Sequence, residues 1–426
     1  MTSLIRTEPL LAPHAPAAAR AVLSLMRNLR HGSLDIRLPD GSTSHFGSAA
    51  PGEPRAAIHL RNWNVCAAAL KSGDIGVAET FIAGDWSTPD IAALLKLFTT
   101  NRDDVEALVY GTWWGSLLYR AKHLLRRNSR SGSKKNIHAH YDLGNAFYKL
   151  WLDPTMSYSS AWFEGDTSGD LVAAQWAKTR RALAECGIRP GDRVLEIGCG
   201  WGACAELAAR EFGARVTGVT LSSEQLDWAR DRLAGAGLEA DLRFQDYRDI
   251  DDEPFDAIAS IEMFEAVGRK YWPAFFSTVA RRLKPGGMAC IQSITIRDDL
   301  FERYLRSTDF IQQYIFPGGL LPCRSAFRSA AEAAGLEVVR ELDFGPDYAE
   351  TLSRWRSSFL AQEAPVRELG FDTRFMRIWE FYLAYCEAAF ATGDTSVVQF
   401  TLRRPLGLSE TQPKPARRRA VLRSGR

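Results

Sequence analysis

The stretch Arg193-Val-Leu-Glu-Ile-Gly-Cys-Gly-Trp-Gly202 (RVLEIGCGWG) decides the fold of this chain. An apolar strand runs into a glycine-rich turn, and the following CAELAAREFG has the apolar spacing of a helix. Glycines at such a turn let the backbone approach a ligand closely. Strands and helices keep alternating to about residue 296. This alternation predicts an α/β fold with a doubly wound parallel sheet, whose ligands bind beyond the carboxyl ends of the strands.

Three features of the turn argue against a dinucleotide ligand. Glu196 would repel a pyrophosphate but could receive a cationic amino-acid end. The spacing is G-x-G-x-G rather than G-x-G-x-x-G, and Thr220 ends the second strand where a dinucleotide enzyme usually places an acid for the ribose. The turn therefore favours a different cofactor.

The run resembles motif I of class I S-adenosylmethionine (SAM) methyltransferases, which have a Rossmann-like sheet. The resemblance implies SAM as the cofactor, with its adenine near FQDYRD (Phe244–Asp249). The residues expected to bind SAM are Glu196, Gly198, Gly200, Gly202, Thr220, Gln225, Gln245, Asp246 and Tyr158.

The composition is that of an ordinary globular protein, with 46% hydrophobic and 24% charged residues in 426. A net charge of +2 gives no global field that would attract nucleic acid. The seven cysteines include no C-x-x-C pair, which argues against a zinc site or disulfide scaffold and for a reducing compartment. We find no signal peptide and no apolar run near the ~18 residues of a membrane span. We therefore expect a cytoplasmic protein without a metal site, whose membrane contact is peripheral, at the inner membrane face.

The chain divides into five segments. We expect a loosely ordered N-terminus (1–20), an N-terminal α+β domain (21–127), a basic linker (128–136), a second domain (137–405) and a disordered basic tail (406–426). In the N-terminal domain, SLDIRLPDG and AAIHLRNW predict strands, and TPDIAALLKLFTT predicts a helix after a Ser/Thr cap.

The segment 112–135 combines Trp113 and Trp114 with many Arg and Lys residues and no acid. This pattern is typical of a helix that lies on an anionic phospholipid bilayer surface. A helix packed on its own domain, with its cations solvated, is the alternative.

Further motifs resemble the cyclopropane-fatty-acid synthase family: NIHAHYDLGNAFYKLWLDPTMSYSSAWF (136–163), VTLSSEQ, EMFEAVG and DFIQQYIFPGGLLP (309–322). They follow in order over about 270 residues, whereas the N-terminal domain matches the family's smaller lipid-associated domain only in size and general pattern. The resemblance implies transfer of a methyl from SAM to the double bond of an unsaturated acyl chain in a membrane phospholipid. It is also compatible with a homodimer.

An alkene is a poor nucleophile, so this reaction requires close alignment with the donor and exclusion of water. It leaves a carbocation, which aromatic faces can stabilise, and a base must then remove a proton. The aromatic residues expected to line an acyl channel are Tyr141, Tyr158, Trp162, Phe264 and Tyr314.

The resemblance also implies that a bound bicarbonate is the base, held in the family by a Cys, a Glu, a His, an Ile backbone and a Tyr. The corresponding positions here are Ser160, Glu265, Gln292, Ile294 and Tyr348, of which Ser160 and Gln292 depart from the pattern. Ser and Gln still form hydrogen bonds to an anion, but the titratable imidazole is lost. We expect a cyclopropane product, with a methyl- or methylene-branched chain as the alternative.

Other residues receive smaller roles. His138 and His140 lack acidic or cysteine neighbours, so we expect them to be solvated or hydrogen-bonded rather than metal ligands. Glu262 is three residues from Glu265, but a strand is predicted to end between them, so we do not expect a catalytic dyad. A small-molecule or protein methyltransferase and a noncatalytic SAM-fold module are the competing functions. The intact glycine turn and the aromatic motifs favour the lipid enzyme.

Overall fold

The computed structural model describes residues 15–105 and 143–407. Its helices are α1 (Ala17–Met26), α2 (Asn64–Ala83), α3 (Ile91–Thr100), α4 (Asn145–Trp151), α5 (Leu171–Glu185), α6 (Ala203–Phe212), α7 (Ser223–Gly235), α8 (Trp272–Arg282), α9 (Asp298–Tyr304), α10 (Arg324–Ala333), α11 (Gly345–Ala361), α12 (Glu363–Glu368) and α13 (Thr373–Ala391). Its strands are β1 (Gly32–Arg37), β2 (Thr43–Ser48), β3 (Arg55–Leu60), β4 (Trp86–Ser87), β5 (Arg193–Ile197), β6 (Arg215–Thr220), β7 (Asp241–Phe244), β8 (Phe255–Ile261), β9 (Leu283–Ile296), β10 (Glu337–Asp343) and β11 (Thr395–Arg403). Short 3₁₀ turns cover Tyr247–Asp249, Phe264–Ala266 and Arg269–Tyr271, and one π turn covers Ile311–Ile315.

The larger sheet has seven strands in the order β10-β11-β9-β8-β5-β6-β7. Strands β5 to β9 pair in parallel, and β11 runs antiparallel between β9 and β10. The predicted α/β, doubly wound fold class is therefore confirmed. The strand order reverses between β5 and β8, which is the position where such sheets bind ligands.

The N-terminal part forms a four-stranded sheet in the order β2-β1-β3-β4 with helices α1 to α3. Helix α1 begins at Ala17, inside the range 1–20 for which the sequence predicts a loosely ordered N-terminus. Burial of its apolar face stabilises this helix. The cap of α3 is Asp90 rather than Ser or Thr, since its carboxylate accepts from the backbone N–H groups of Ala92 and Ala93.

One hydrophobic cluster joins the N-terminal helices and sheet to α13 of the larger domain. Polar contacts cross the same boundary: Asp74 accepts from the Tyr385 hydroxyl (2.7 Å) and from the Phe310 N–H (3.2 Å). The segment 112–135, with His138, His140 and Tyr141, lies outside the described residues, as does the chain after residue 407. In the described ranges, no helix has the length and apolar character needed to cross a membrane.

Strand β8 ends earlier than its sequence predicts. FDAIASIEMF reads as one strand, but the strand ends at Ile261 because Glu262 adopts a left-handed backbone with φ of 51°. Such a backbone is uncommon for a residue other than glycine and disfavours further strand pairing. It brings the side chains of the following turn to the carboxyl edge of the sheet.

Candidate active site

A cavity at the carboxyl ends of β5, β6 and β8, here called the strand-end cavity, encloses about 1230 Å³ including its mouth. Eight of the nine residues predicted to bind the cofactor line it. They are Tyr158, Glu196, Gly198, Gly200, Thr220, Gln225, Gln245 and Asp246. These residues come from several loops, which the parallel sheet brings to one edge.

Gly202, the ninth, is not among the lining residues. It lies at the start of α6 with φ of 84°, and a Cβ on it would be 2.9 Å from the Cβ of Ala229 in α7. Its role is therefore close packing of two helices. Gly198 does line the cavity, and a Cβ there would lie 2.8 Å from Met263 Cγ, so only glycine fits without displacing that side chain.

Glu196 is one of the acidic residues that line the strand-end cavity. It is buried, and its Oε2 atom has no hydrogen-bond partner among the described residues. Burial raises the pKa of this carboxyl to about 8. A cation that enters the cavity would relieve this unfavourable burial, so the site fits the cationic amino-acid end of SAM.

A second cavity, here called the apolar cavity, has a volume of about 1300 Å³ including its mouth and meets the first one. Tyr158, Glu262 and Ala266 line both. The aromatic residues of the apolar cavity are Tyr158, Tyr304, Phe316, Tyr348, Tyr382, Tyr385 and Phe390. A methyl donor in the first cavity and a hydrocarbon chain in the second would therefore meet beside Glu262.

Three of the predicted channel aromatics do not line the apolar cavity. Phe264 is enclosed by other aromatic rings, with the Phe275 centroid 5.0 Å away. Trp162 packs against the Arg181 guanidinium, 5.8 Å from its ring centroid. Tyr314 donates its hydroxyl to Glu79 (2.6 Å) in the N-terminal domain. These three side chains are engaged elsewhere because packing partners, rather than position near a motif, decide which face of an aromatic residue is covered.

Glu262 is the residue on which the predicted bicarbonate cup converges. Its Oε1 accepts from the Ser160 N–H (2.9 Å) and from Gln292 Nε2 (2.8 Å), and its Oε2 accepts from the Tyr348 hydroxyl (2.8 Å). The Ser160 contribution is made by its backbone, because its Oγ donates instead to the carbonyl of Ala161. Three of the five positions predicted to hold an external anion thus hold a carboxylate of the protein itself.

The remaining two positions pair with each other. The Ile294 N–H donates to Glu265 Oε1, which also accepts from Ser293 Oγ (3.0 Å). Glu265 Oε2 has no partner among the described residues. Burial, and then the like charge of Glu262, raise the pKa of Glu265 to about 8. Although the sequence does not predict a catalytic dyad, both acids line the apolar cavity and they interact electrostatically.

The charge of Glu262 is balanced by Lys178 of α5. Burial raises the pKa of Glu262, and the attraction of Lys178 is the largest opposing effect, followed by the three hydrogen bonds. Burial in turn lowers the pKa of Lys178 to about 8. Lys178 is buried, lines the strand-end cavity and donates to Ser159 Oγ (2.6 Å). Lys178 thus partly offsets the effect of burial on Glu262, whereas burial and the charge of Glu262 both favour the neutral form of Glu265.

Sequence reasoning missed Glu262 as a site residue. The signal in the sequence was that Ser160 and Gln292 both depart from the family's anion cup. The structure shows that both residues contact this one acid. An unusual acid beside two substituted anion ligands is the pattern expected when a side chain replaces a bound anion.

The comparisons with known proteins agree with this geometry. The sequence model of mycolic acid cyclopropane synthetase matches residues 128–400. Tuberculostearic acid methyltransferase UfaA1 of Mycobacterium tuberculosis is 37% identical over 92% of this chain and 93% of its own length. Cyclopropane-fatty-acyl-phospholipid synthase of Escherichia coli is 33% identical over 86% of this chain and 93% of its own length.

Among solved structures, mycolic acid cyclopropane synthase CmaA1 complexed with SAH and CTAB is 34% identical, with a TM-score of 0.59. It covers 63% of this chain, and 98% of its own length is matched. The cofactor is SAM, and the chain is a SAM-dependent methyltransferase of the kind that modifies lipid acyl chains. The chain belongs to the mycolic acid cyclopropane synthetase family.

Proposed function

We propose that this protein methylates the double bond of an unsaturated acyl chain in a membrane phospholipid, and that Glu262 accepts the proton lost from the resulting carbocation. The observation that carries the proposal is the position of the Glu262 carboxylate. It lies where the strand-end and apolar cavities meet and occupies the donors of the anion cup. The expected bound bicarbonate is therefore replaced by a side chain.

The chain's own residues support each requirement of the reaction. The apolar cavity excludes water from the alkene, and Tyr158 and Tyr348 offer aromatic faces near its junction with the strand-end cavity. Glu262, when ionised, can take a proton from the transferred methyl group. SAM, when bound, would supply the methyl as an electrophile: the alkene electron pair would form the new carbon–carbon bond as the sulfur–methyl bond breaks and S-adenosylhomocysteine leaves.

Two products share this carbocation. Loss of a methyl proton with closure onto the neighbouring carbon gives a cyclopropane. If a hydride first shifts from the methylated carbon to its neighbour, the cation becomes tertiary, and loss of a methyl proton gives a methylene branch. Both routes transfer one proton to Glu262 and need no reductant.

We favour the methylene branch. The similarity to a protein named for tuberculostearic acid, at 37% identity, supports the same product class. Cyclopropane formation is the second candidate, supported by the similarity to the Escherichia coli synthase.

Lipid analysis tests this proposal. The chain would be expressed in a host without cyclopropane lipids, and its phospholipid acyl chains would be extracted. Both products are one CH₂ heavier than the substrate, so mass alone does not separate them, whereas proton NMR separates vinylidene from cyclopropane protons. We expect vinylidene signals. Signals of cyclopropane ring protons would show that the product is a cyclopropane rather than a methylene branch. An unchanged lipid profile in cells that contain folded, SAM-binding protein would refute the lipid substrate.

A further inference from the structure

A line of buried amides begins at Glu262 and leads away from it. Gln292 lies on β9, directly opposite Gln399 on the antiparallel neighbour β11. Gln399 Nε2 donates to Gln292 Oε1 (3.0 Å), and Gln292 Nε2 donates to Glu262 Oε1 (2.8 Å). Both glutamines are fully buried. At the far end, Arg181 of α5 donates through Nη1 to Gln399 Oε1.

The direction of this line is fixed by groups that cannot reverse their roles. An arginine guanidinium only donates, so the Gln399 atom facing Arg181 must be the oxygen. The Gln399 nitrogen also donates to the backbone carbonyl of Lys178 (3.0 Å), which only accepts. Gln399 is therefore held at both ends of its amide, and Gln292 must turn its oxygen toward Gln399 and its N–H toward Glu262.

This fixed direction distinguishes the two protonation states of Glu262. An ionised Glu262 accepts the Gln292 N–H. Protonation of Glu262 on Oε2 could use the Tyr348 hydroxyl as acceptor, but it would weaken the charge-assisted hydrogen bond that Gln292 donates to Oε1. Protonation on Oε1 would need a different acceptor, and a free glutamine would rotate its amide to offer one. With Gln399 and Arg181 in place, that rotation would set two N–H groups against each other in a buried site. The line therefore disfavours the neutral acid.

We propose that Arg181 and Gln399 are positioning residues that hold the Gln292 amide in one orientation and so keep Glu262 ready to accept a proton. The inference rests on the proposed role of Glu262. The charged and titratable groups that face Glu262 directly are Lys178 from α5, Tyr348 from α11 and Glu265 from the turn after β8. Gln399 contacts one of these residues, Lys178, and only through its backbone carbonyl, so variants of Gln399 remove none of the three side chains.

The test is a titration of Glu262 that needs no turnover. Protein labelled with ¹³C at the glutamate carboxyl carbon would be followed by NMR against pH, and Glu262→Gln would identify the signal. Gln399→Met keeps the volume without an amide, so Gln292 becomes free to rotate. We expect the pKa of Glu262 to rise by about one unit in Gln399→Met. Gln399→Glu should raise it by about two units, because it forces Gln292 to rotate and adds a negative charge.

Matched controls separate this role from packing. Thr401 is two residues along on the same face of β11, is also buried and bonds to Glu185 (3.2 Å), so Thr401→Val should leave the titration unchanged. An unchanged pKa of Glu262 in folded, SAM-binding Gln399→Met would overturn the inference. If Gln399→Met does not fold, the Arg181 variants provide the test. Arg181→Met should raise the pKa of Glu262 and Arg181→Lys should not. Equal titrations of Glu262 in these two variants would overturn the inference. A chain that fails to methylate lipids would refute the proposed function while leaving the titration interpretable.

Discussion

Replacing Glu262 with glutamine separates the chemistry of the carboxylate from its place in the fold. The amide has nearly the same shape, and its oxygen can still accept from the Ser160 N–H and from Gln292. Its new NH₂ group would face the Tyr348 hydroxyl, which can accept as well as donate. We therefore expect Glu262→Gln to fold and to bind SAM with nearly unchanged affinity.

Turnover should fall sharply in Glu262→Gln, because an amide cannot take the proton. A positioned general base typically contributes about 10²- to 10⁴-fold to a rate, which corresponds to about 3–5 kcal/mol in the activation barrier. The assay is incorporation of labelled methyl from SAM into vesicles of a monounsaturated phospholipid, with SAM affinity measured by calorimetry on the same preparations.

Glu265→Gln is the matched comparison, three residues away in the same turn. Since the pKa of Glu265 is raised to about 8, this acid is about 90% protonated at pH 7, and glutamine resembles its neutral form. We expect a loss below about tenfold. The reasoning would be refuted if Glu265→Gln were as damaging as Glu262→Gln, or if Glu262→Gln kept more than about a tenth of the wild-type rate.

Three further predictions concern the cofactor, the domain boundary and the apolar cavity. Because burial raises the pKa of Glu196 to about 8, SAM binding near pH 7 should release close to one proton, measured by calorimetry in buffers of different ionisation enthalpy; equal release by Glu196→Gln would contradict this. Burial raises the pKa of Asp74 in the folded protein to about 6. The stabilisation that results is therefore complete below the pKa of Asp74 in the unfolded chain and declines as pH rises through 6. Asp74→Asn should therefore flatten the pH dependence of the unfolding free energy by about 2–3 kcal/mol between about pH 4 and 7, and an unchanged slope in denaturant titrations would count against this. Ala389→Phe should narrow the apolar cavity and raise the KM for lipid at least about fivefold at constant SAM affinity, whereas an equal loss of SAM affinity would indicate general misfolding.

The sequence predicts the larger sheet and its cofactor cavity well because both depend on local patterns. Strand and helix periodicity determine the elements, and the glycine turn after β5 follows from the backbone conformations that only glycine adopts easily. Parallel pairing then brings Glu196, Thr220 and Gln245 to one edge of the sheet, although they are far apart in the chain.

The apolar cavity and its acid are less predictable, for physical reasons. Whether Phe264 or Tyr382 faces the cavity depends on helices that pack from distant parts of the chain. The position of Glu262 depends on a left-handed backbone at the end of β8, which carries no glycine signal in the sequence. Its partners, Ser160, Gln292 and Tyr348, come from three separate elements, so only the folded chain shows that they share one carboxylate.

The central claim is that Glu262 removes a proton from the methyl group that has just been transferred. Turnover with SAM carrying a CD₃ group, followed by mass spectrometry of the acyl product, tests it most directly. We predict that the product keeps two deuterium atoms and that the third is lost to the solvent, for a methylene branch and for a cyclopropane alike. A product that keeps all three would show that the proton leaves from the acyl chain instead, and would contradict the account.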